Sequence, residues 1–155
     1  MRRIFQIIAP ALLALVLGLP TTFAQQRPPA GAPKQKTLYE RLGGYDAIAA
    51  IVDEVGSRFA TDDQLRRFFR AHSKDSLTRQ RQLAVDLICD LAGGPCYYIG
   101  RDLKTAHGGL GVSPSDWTRA MGLLGEVLIK VEVAERERKE FIALISALEP
   151  QIVEK

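Results

Sequence analysis

The chain holds two histidines and two cysteines, so any chemistry needing a nitrogen or sulfur donor must be built from these four residues. His107 closes the stretch Arg101-Asp102-Leu103-Lys104-Thr105-Ala106-His107, and Gly108-Gly109 follow at once. Leu103 and His107 are four apart, so in a helical turn their side chains stack on one face, with Asp102 placed to cap the turn. Two roles suit such a histidine. It is either a satisfied core residue on an apolar face, or the axial ligand of an iron whose other bonds come from a porphyrin. The second role needs one protein nitrogen, a flat apolar slot and cations at its rim for the propionates. Arg101 and Lys104 lie nearby in sequence, and Phe68, Phe69, Trp117 and Met121 are available to line a slot. His72, after the paired phenylalanines, reads as an exposed loop residue.

Other schemes find little support. Two histidines are too few for a histidine-based zinc site, and no C-x-x-C occurs. No G-x-S-x-G, P-loop or G-x-G-x-x-G is present. With no C-x-x-C-H, a haem here would be of the b type, held without the usual covalent attachment. Cys89 falls in the last turn of a helix and Cys96 just beyond a glycine turn. They are either bridged, which needs Cα atoms about 4.4–6.8 Å apart, or two separate thiols. A bridge there contributes about 2–3 kcal/mol by loop entropy, and no redox catalysis is assigned to it.

The elements that must position these residues have helical period throughout. Thr37 and Glu40 form a capping-box pair for a short helix stopped at Gly43-Gly44. From about 45 to 60, Ile48, Ile51, Val52, Val55 and Phe59 make one apolar stripe. A turn around Asp62–Phe69 presents Leu65, Phe68 and Phe69. A helix from about 76 to 92 places Leu77, Ala84, Leu87, Ile88 and Leu91 on one face, ended by Gly93-Gly94-Pro95. Ser113, Pro114 and Asp116 open a further helix, whose stripe runs through Trp117, Ala120, Met121, Leu124, Val127, Leu128 and Val131. A last helix from about 134 to 149 carries Phe141, Leu144, Ile145 and Leu148 and is expected to stop at Pro150. The fold class is therefore all-α, with no convincing strand and no internal repeat.

Composition bounds the rest. Residues 1–24 carry Arg2 and Arg3, an apolar run and a small-residue end at Ala24, the layout of a cleaved secretory signal peptide. The run is broken by Pro10, Gly18 and Pro20 and is shorter than the roughly 20 residues of a spanning helix. The expected destination is across the inner membrane, in the periplasm, with membrane contact only through the targeting segment. Residues 25–36 read as a flexible tether, leaving one folded domain over 37–152. After residue 24 the chain carries 19 Lys and Arg against 18 Asp and Glu. The sequence pI of about 9.0 then gives little support for nucleic-acid binding, which needs a clustered basic face.

The stretches "TLYERLGGYDAI", "DDQLRRFF" and "GGPCYYIGRDLKTAHGGLGVSPSDW", with the closing helices, resemble the group I truncated haemoglobins, the shortened 2-over-2 globins. The likeness covers about 37 to 150. It implies a non-covalent haem b with His107 as the proximal iron ligand and Phe69 packed at the haem edge. It places Leu103, Val112 and Trp117 on proximal packing positions, Tyr98 beside the pocket, and Arg101 and Lys104 near the propionates. On the distal side the sequence departs from the pattern. Many members carry Phe-Tyr where this chain has Val55-Gly56, and Ala84 corresponds to their distal glutamine. Gln80 is then the best polar candidate, with Leu83 nearby.

The resemblance implies reversible binding of a diatomic gas (O2, NO or CO), with weaker oxygen retention than in the tyrosine-bearing members. One alternative is nitric oxide dioxygenation or weak peroxidation, which would need an external reductase. Another is a helical interaction module without haem, in which His107 only packs.

Overall fold

The computed structural model describes residues 35–154. The segment read as a signal peptide and nearly all of the tether therefore lie outside the described residues. Seven α-helices follow one another: α1 (Leu38–Leu42), α2 (Tyr45–Thr61), α3 (Lys74–Leu91), α4 (Leu103–His107), α5 (Pro114–Lys130), α6 (Glu135–Ser146) and α7 (Glu149–Ile152), with a 3-10 turn at Arg66–Phe68. No strand occurs among the described residues, and no helix there is long and apolar enough to cross a membrane.

Local chemistry sets the boundaries. Thr37 accepts from the backbone N–H of Glu40 at 3.2 Å while Glu40 accepts from Thr37 N–H at 2.8 Å, so α1 begins with a closed capping box. Ser73 accepts from Ser76 N–H and starts α3 at Lys74, two residues earlier than the apolar pattern suggests. Gly93, at φ +79°, takes the left-handed turn that ends α3. Pro150 does not stop the last helix. After Ser146 the regular α-helical pattern is interrupted at Ala147 and Leu148, which keep right-handed backbone, and Pro150 then sits in the first turn of α7, where its missing N–H costs nothing.

The core joins Ile48 and Ile51 of α2, Val85 and Cys89 of α3, Leu124, Val127 and Leu128 of α5, and Phe141 of α6. Each large aliphatic or aromatic side chain buried there contributes about 1.5–3 kcal/mol relative to exposure. α2 packs on α3 and on α5, and α5 packs on α6. Two expectations about the stripes change. On α5, Leu123 is buried and Val131 is exposed, because Val131 lies past the last helical residue. On α3 the core face is Val85, Cys89 and Ala92. Of the expected stripe, Ile88 packs against this core, whereas Leu77 and Leu91 are 38% and 39% exposed.

The short α4 is held from the other end of the chain. It packs on α7, and past it Glu154 N–H donates to the Val112 carbonyl at 2.8 Å. The Glu154 carboxylate accepts from Gly111 N–H at 3.2 Å. α3 and α4 thus take different partners and do not pack closely on one another.

Candidate functional site: an oriented histidine at the end of α4

His107 is half-buried at the end of α4, and its ring orientation is determined. Nδ1 lies 2.8 Å from the Leu103 carbonyl oxygen. A carbonyl only accepts, so Nδ1 carries the proton, and in the neutral ring the lone pair is on Nε2. This is how a protein prepares an imidazole to bind a metal through Nε2. The turn presenting it is itself fixed. Asp102 accepts from Thr105 N–H at 2.8 Å, and hydrogen bonds from Thr105 hold its carboxyl below the usual carboxylate range. Tyr98 donates its hydroxyl to the Arg101 carbonyl at 2.7 Å, closing the turn before α4. Gly100 lies so near the Tyr98 ring that a Cβ there would collide with it.

The other expected proximal residues follow in one run. Leu103 and Val112 are buried, Trp117 and Met121 are half-buried on α5, and Arg101 and Lys104 are exposed. Neither of these two cations is paired with an acid among the described residues.

The distal candidates lie on α2 and α3. Ala84 and Leu83 are half-buried and Gln80 is exposed. Gln80, Ala84 and Leu87 share the open face of α3 with Leu77 and Leu91, by helical spacing. Phe69 packs against Phe59, ring centroids 6.4 Å apart. At Gly56 a Cβ would meet nothing within 4 Å, so space stands open beside α2. An open cleft of about 390 Å³ runs along α3, lined among others by Thr78, Gln82, Leu83 and Ile99. Of the expected site residues it contains only Leu83, and it does not reach His107. His72 is exposed on the turn before α3.

The sequence left one feature open and read another only in part. Cys89 and Cys96 are bridged, with Cα atoms 5.8 Å apart. Asp116 is more than a cap residue. At 2% exposure it accepts from Ser113 N–H and Oγ (2.9 and 2.6 Å), Gln64 Nε2 (2.9 Å) and Arg67 (2.6 Å). Burial pushes this carboxyl up, but the hydrogen bonds from Ser113, Gln64 and Arg67 outweigh it and hold the carboxyl well below the usual carboxylate range. The S-x-x-D spacing at 113–116 signals the cap. Nothing in the sequence signals the two partners some 50 positions earlier.

The residues present suit a flat apolar group with one axial ligand and anionic edges. One helix has an apolar face it does not bury, a histidine has a bare Nε2, and two unpaired cations flank that histidine. An all-helical sandwich with these features is a small prosthetic-group binder. Residues 37–154 match the family model for bacterial-like globins, and the chain belongs to that family. It is 28% identical over 116 residues to the group 1 truncated hemoglobin GlbN of Mycolicibacterium paratuberculosis, covering 75% of this chain and 83% of the relative. Its fold matches the crystal structure of the Fe(III) truncated hemoglobin of Tetrahymena pyriformis with TM-score 0.71 at 24% identity, over 77% of this chain and all of that one. The 2/2 hemoglobin of Synechococcus, whose structure has covalently attached heme, matches at TM-score 0.67 and 22% identity over 75% and 95% of the two chains. The fold is thus the 2-over-2 truncated globin sandwich, and membership of a globin family makes the chain a haem protein.

Proposed function

We propose that the chain holds a b-type haem between α3 and α4, with His107 Nε2 as the proximal ligand, and reversibly binds a diatomic gas. The observation that carries this is the hydrogen bond from His107 Nδ1–H to the Leu103 carbonyl, which leaves one nitrogen free to coordinate. A haem held there supplies an iron with one open axial position for a small gas. Leu103, Val112, Trp117 and Met121 support the histidine side. Arg101 and Lys104 are placed to meet the propionates. Leu77, Ala84, Leu87 and Leu91 give the opposite wall its apolar surface, with Phe69 at the edge, Tyr98 bracing the approach to α4, and Gln80 and Leu83 beside the distal opening.

Gly56 offers no donor to a polar gas ligand, and no tyrosine or histidine stands beside it in α2. Oxygen release is therefore expected to be fast. Turnover of any kind would draw electrons from an external reductase. The Cys89–Cys96 bridge is of the kind that persists in oxidising compartments. It supports export of the chain and a periplasmic location.

The test is reconstitution of the full chain with haem. A Soret band is expected, as is release of all pigment into acidified organic solvent, the behaviour of a non-covalent haem. His107→Ala should abolish or greatly weaken the band. A band unchanged in that variant would overturn the assignment.

A further inference from the structure

Charge is distributed unevenly along the described chain. Between residues 66 and 81 stand six lysines and arginines and a single acid, Asp75. The rest of residues 35–154 carries ten lysines and arginines against seventeen acids. The molecule is therefore acidic with one basic segment. That segment is also the least covered part of the fold. Every residue from Arg70 to Gln80 is exposed, including the first two turns of α3 on all sides. A helix this bare is normally either frayed or partnered. Here its start is capped by Ser73, and it continues into the core through Val85 and Cys89.

Three of the six cations are already committed. Arg67 pairs with Asp116, Arg66 with Asp63, and Arg81 with Asp53. Arg70, Lys74 and Arg79 have no ion-pair partner among the described residues, so their charge is available to a partner. Lys74 stands next to Leu77 on α3 and Arg70 on the turn before it, while Arg79 lies by helical spacing on the helix's other side, along the cleft it shares with Asp75 and Asp86. The basic segment therefore adjoins the end of the α3 face read above as one wall of the haem slot.

We infer that the exposed segment Arg70–Arg79 is the docking face for an acidic one-electron carrier protein that reduces the haem. One electron passes from the carrier's reduced cofactor to the iron, which goes from ferric to ferrous. No bond is made or broken, and the carrier is oxidised by one electron. Charge complementarity selects an acidic partner. A second copy of this chain is a weaker match, because its other seventeen acids are interspersed with ten lysines and arginines. Opposite fields of this kind raise association rates by about 10–1,000-fold at low salt and are screened beyond about 10 Å at 0.1 M.

The inference rests on the haem reading above, and the test separates the two. Reduced flavodoxin, an acidic one-electron carrier, serves as the probe. Its complex with the full chain is measured by calorimetry, with or without haem, and its reduction of the ferric haem-loaded chain by stopped flow. Binding and reduction are both expected to weaken at least 10-fold from about 10 mM to 0.3 M salt. The triple variant Arg70→Glu, Lys74→Glu, Arg79→Glu should lose at least 10-fold in both at low salt. Its reduction by photoreduced deazariboflavin, small and uncharged, should be unchanged. Arg136→Glu with Lys139→Glu, which alters net charge elsewhere, should leave flavodoxin binding as it was. A Soret band together with salt-independent reduction, or with equal losses in both sets of variants, overturns the docking face. So does preferential binding to phosphatidylglycerol vesicles over flavodoxin, which would make the segment a membrane face. If no Soret band forms, the haem reading has failed first and this inference falls with it.

Discussion

Gly56 is where the chemistry of the pocket can be changed with least disturbance to the fold. A Cβ at this position meets nothing within 4 Å, and the residue lies in the interior of α2 with ordinary helical backbone. Gly56→Tyr therefore removes no contact. Glycine costs about 1 kcal/mol relative to alanine in a helix and tyrosine about half that, so the variant should be more stable by about 0.5 kcal/mol. If the open space belongs to the gas-binding side, the new hydroxyl can donate to a bound ligand. A single neutral hydrogen bond contributes about 0.5–1.5 kcal/mol net, and one to a group carrying charge about 1.5–3 kcal/mol. Polarised oxygen falls between these, at about 1–2.2 kcal/mol, so its dissociation should slow by about 5- to 40-fold, since 1.4 kcal/mol is a factor of ten. Carbon monoxide, which is less polar when bound, should change much less. The assay is displacement of oxygen by excess carbon monoxide, followed by stopped flow on the parent and the variant. Equal oxygen off-rates in a stable Gly56→Tyr protein would show that Gly56 does not face the ligand, and the distal reading would be wrong. Phenylalanine at the same position adds bulk without a donor and should not slow release.

Three further outcomes follow from the fold. The Cys89–Cys96 bridge spans seven positions, which by loop entropy corresponds to about 2.5 kcal/mol. Reduction, or Cys89→Ala with Cys96→Ala, should lower the thermal midpoint by about 10 °C, read by circular dichroism; an unchanged midpoint would mean the thiols are unpaired. Asp116 has a lowered carboxyl pKa when folded, so its contribution is complete above the unfolded value of about 3.9 and is lost as pH falls below it. Asp116→Asn should therefore cost about 1–3 kcal/mol at pH 7 and less at pH 3, measured from urea midpoints; a difference that does not shrink in acid would rule out the charged form as the stabilising one. Gly100→Ala should disturb the turn that Tyr98 closes before α4, weakening haem retention in competition with apomyoglobin, whereas unchanged haem loss would separate that turn from the site.

Much of this molecule could be read before its structure was known, for reasons that differ by element. The Thr37, Asp102 and Ser113 caps are local, because a side chain and an N–H three residues on are enough to specify them. His107 was visible because the i, i+4 pairing with Leu103 is also local, although the hydrogen bond between them uses the Leu103 carbonyl rather than its side chain. Pro150 misled because proline opens a helix as readily as it closes one. The bridge was left open since spacing alone cannot say whether two Cα atoms come within reach. Asp116 was half-read for the same reason, its cap being local and its Arg67 and Gln64 partners distant.

α3 carries the most informative discrepancy. Periodicity finds one apolar stripe, because in most helices one apolar face is all there is. Here there are two. Val85, Cys89 and Ala92 meet the rest of the protein, while Leu77 and Leu91, on the neighbouring side by helical spacing, stand more than a third exposed. An amphipathic helix that left so much leucine to water would lose about 1 kcal/mol or more for each half-exposed side chain. A sequence that keeps them is paired, in its working state, with an apolar surface the polypeptide does not itself provide. The exposed leucines of α3 and the Nε2 of His107 are two independent requirements, one hydrophobic and one coordinative, and a single flat iron-bearing group, as proposed above, would satisfy both. Replacing Leu77 and Leu91 together with glutamine should accordingly leave the haem-free fold about as stable as before while markedly accelerating haem loss. A destabilised haem-free fold with haem affinity intact would place that stripe in the core.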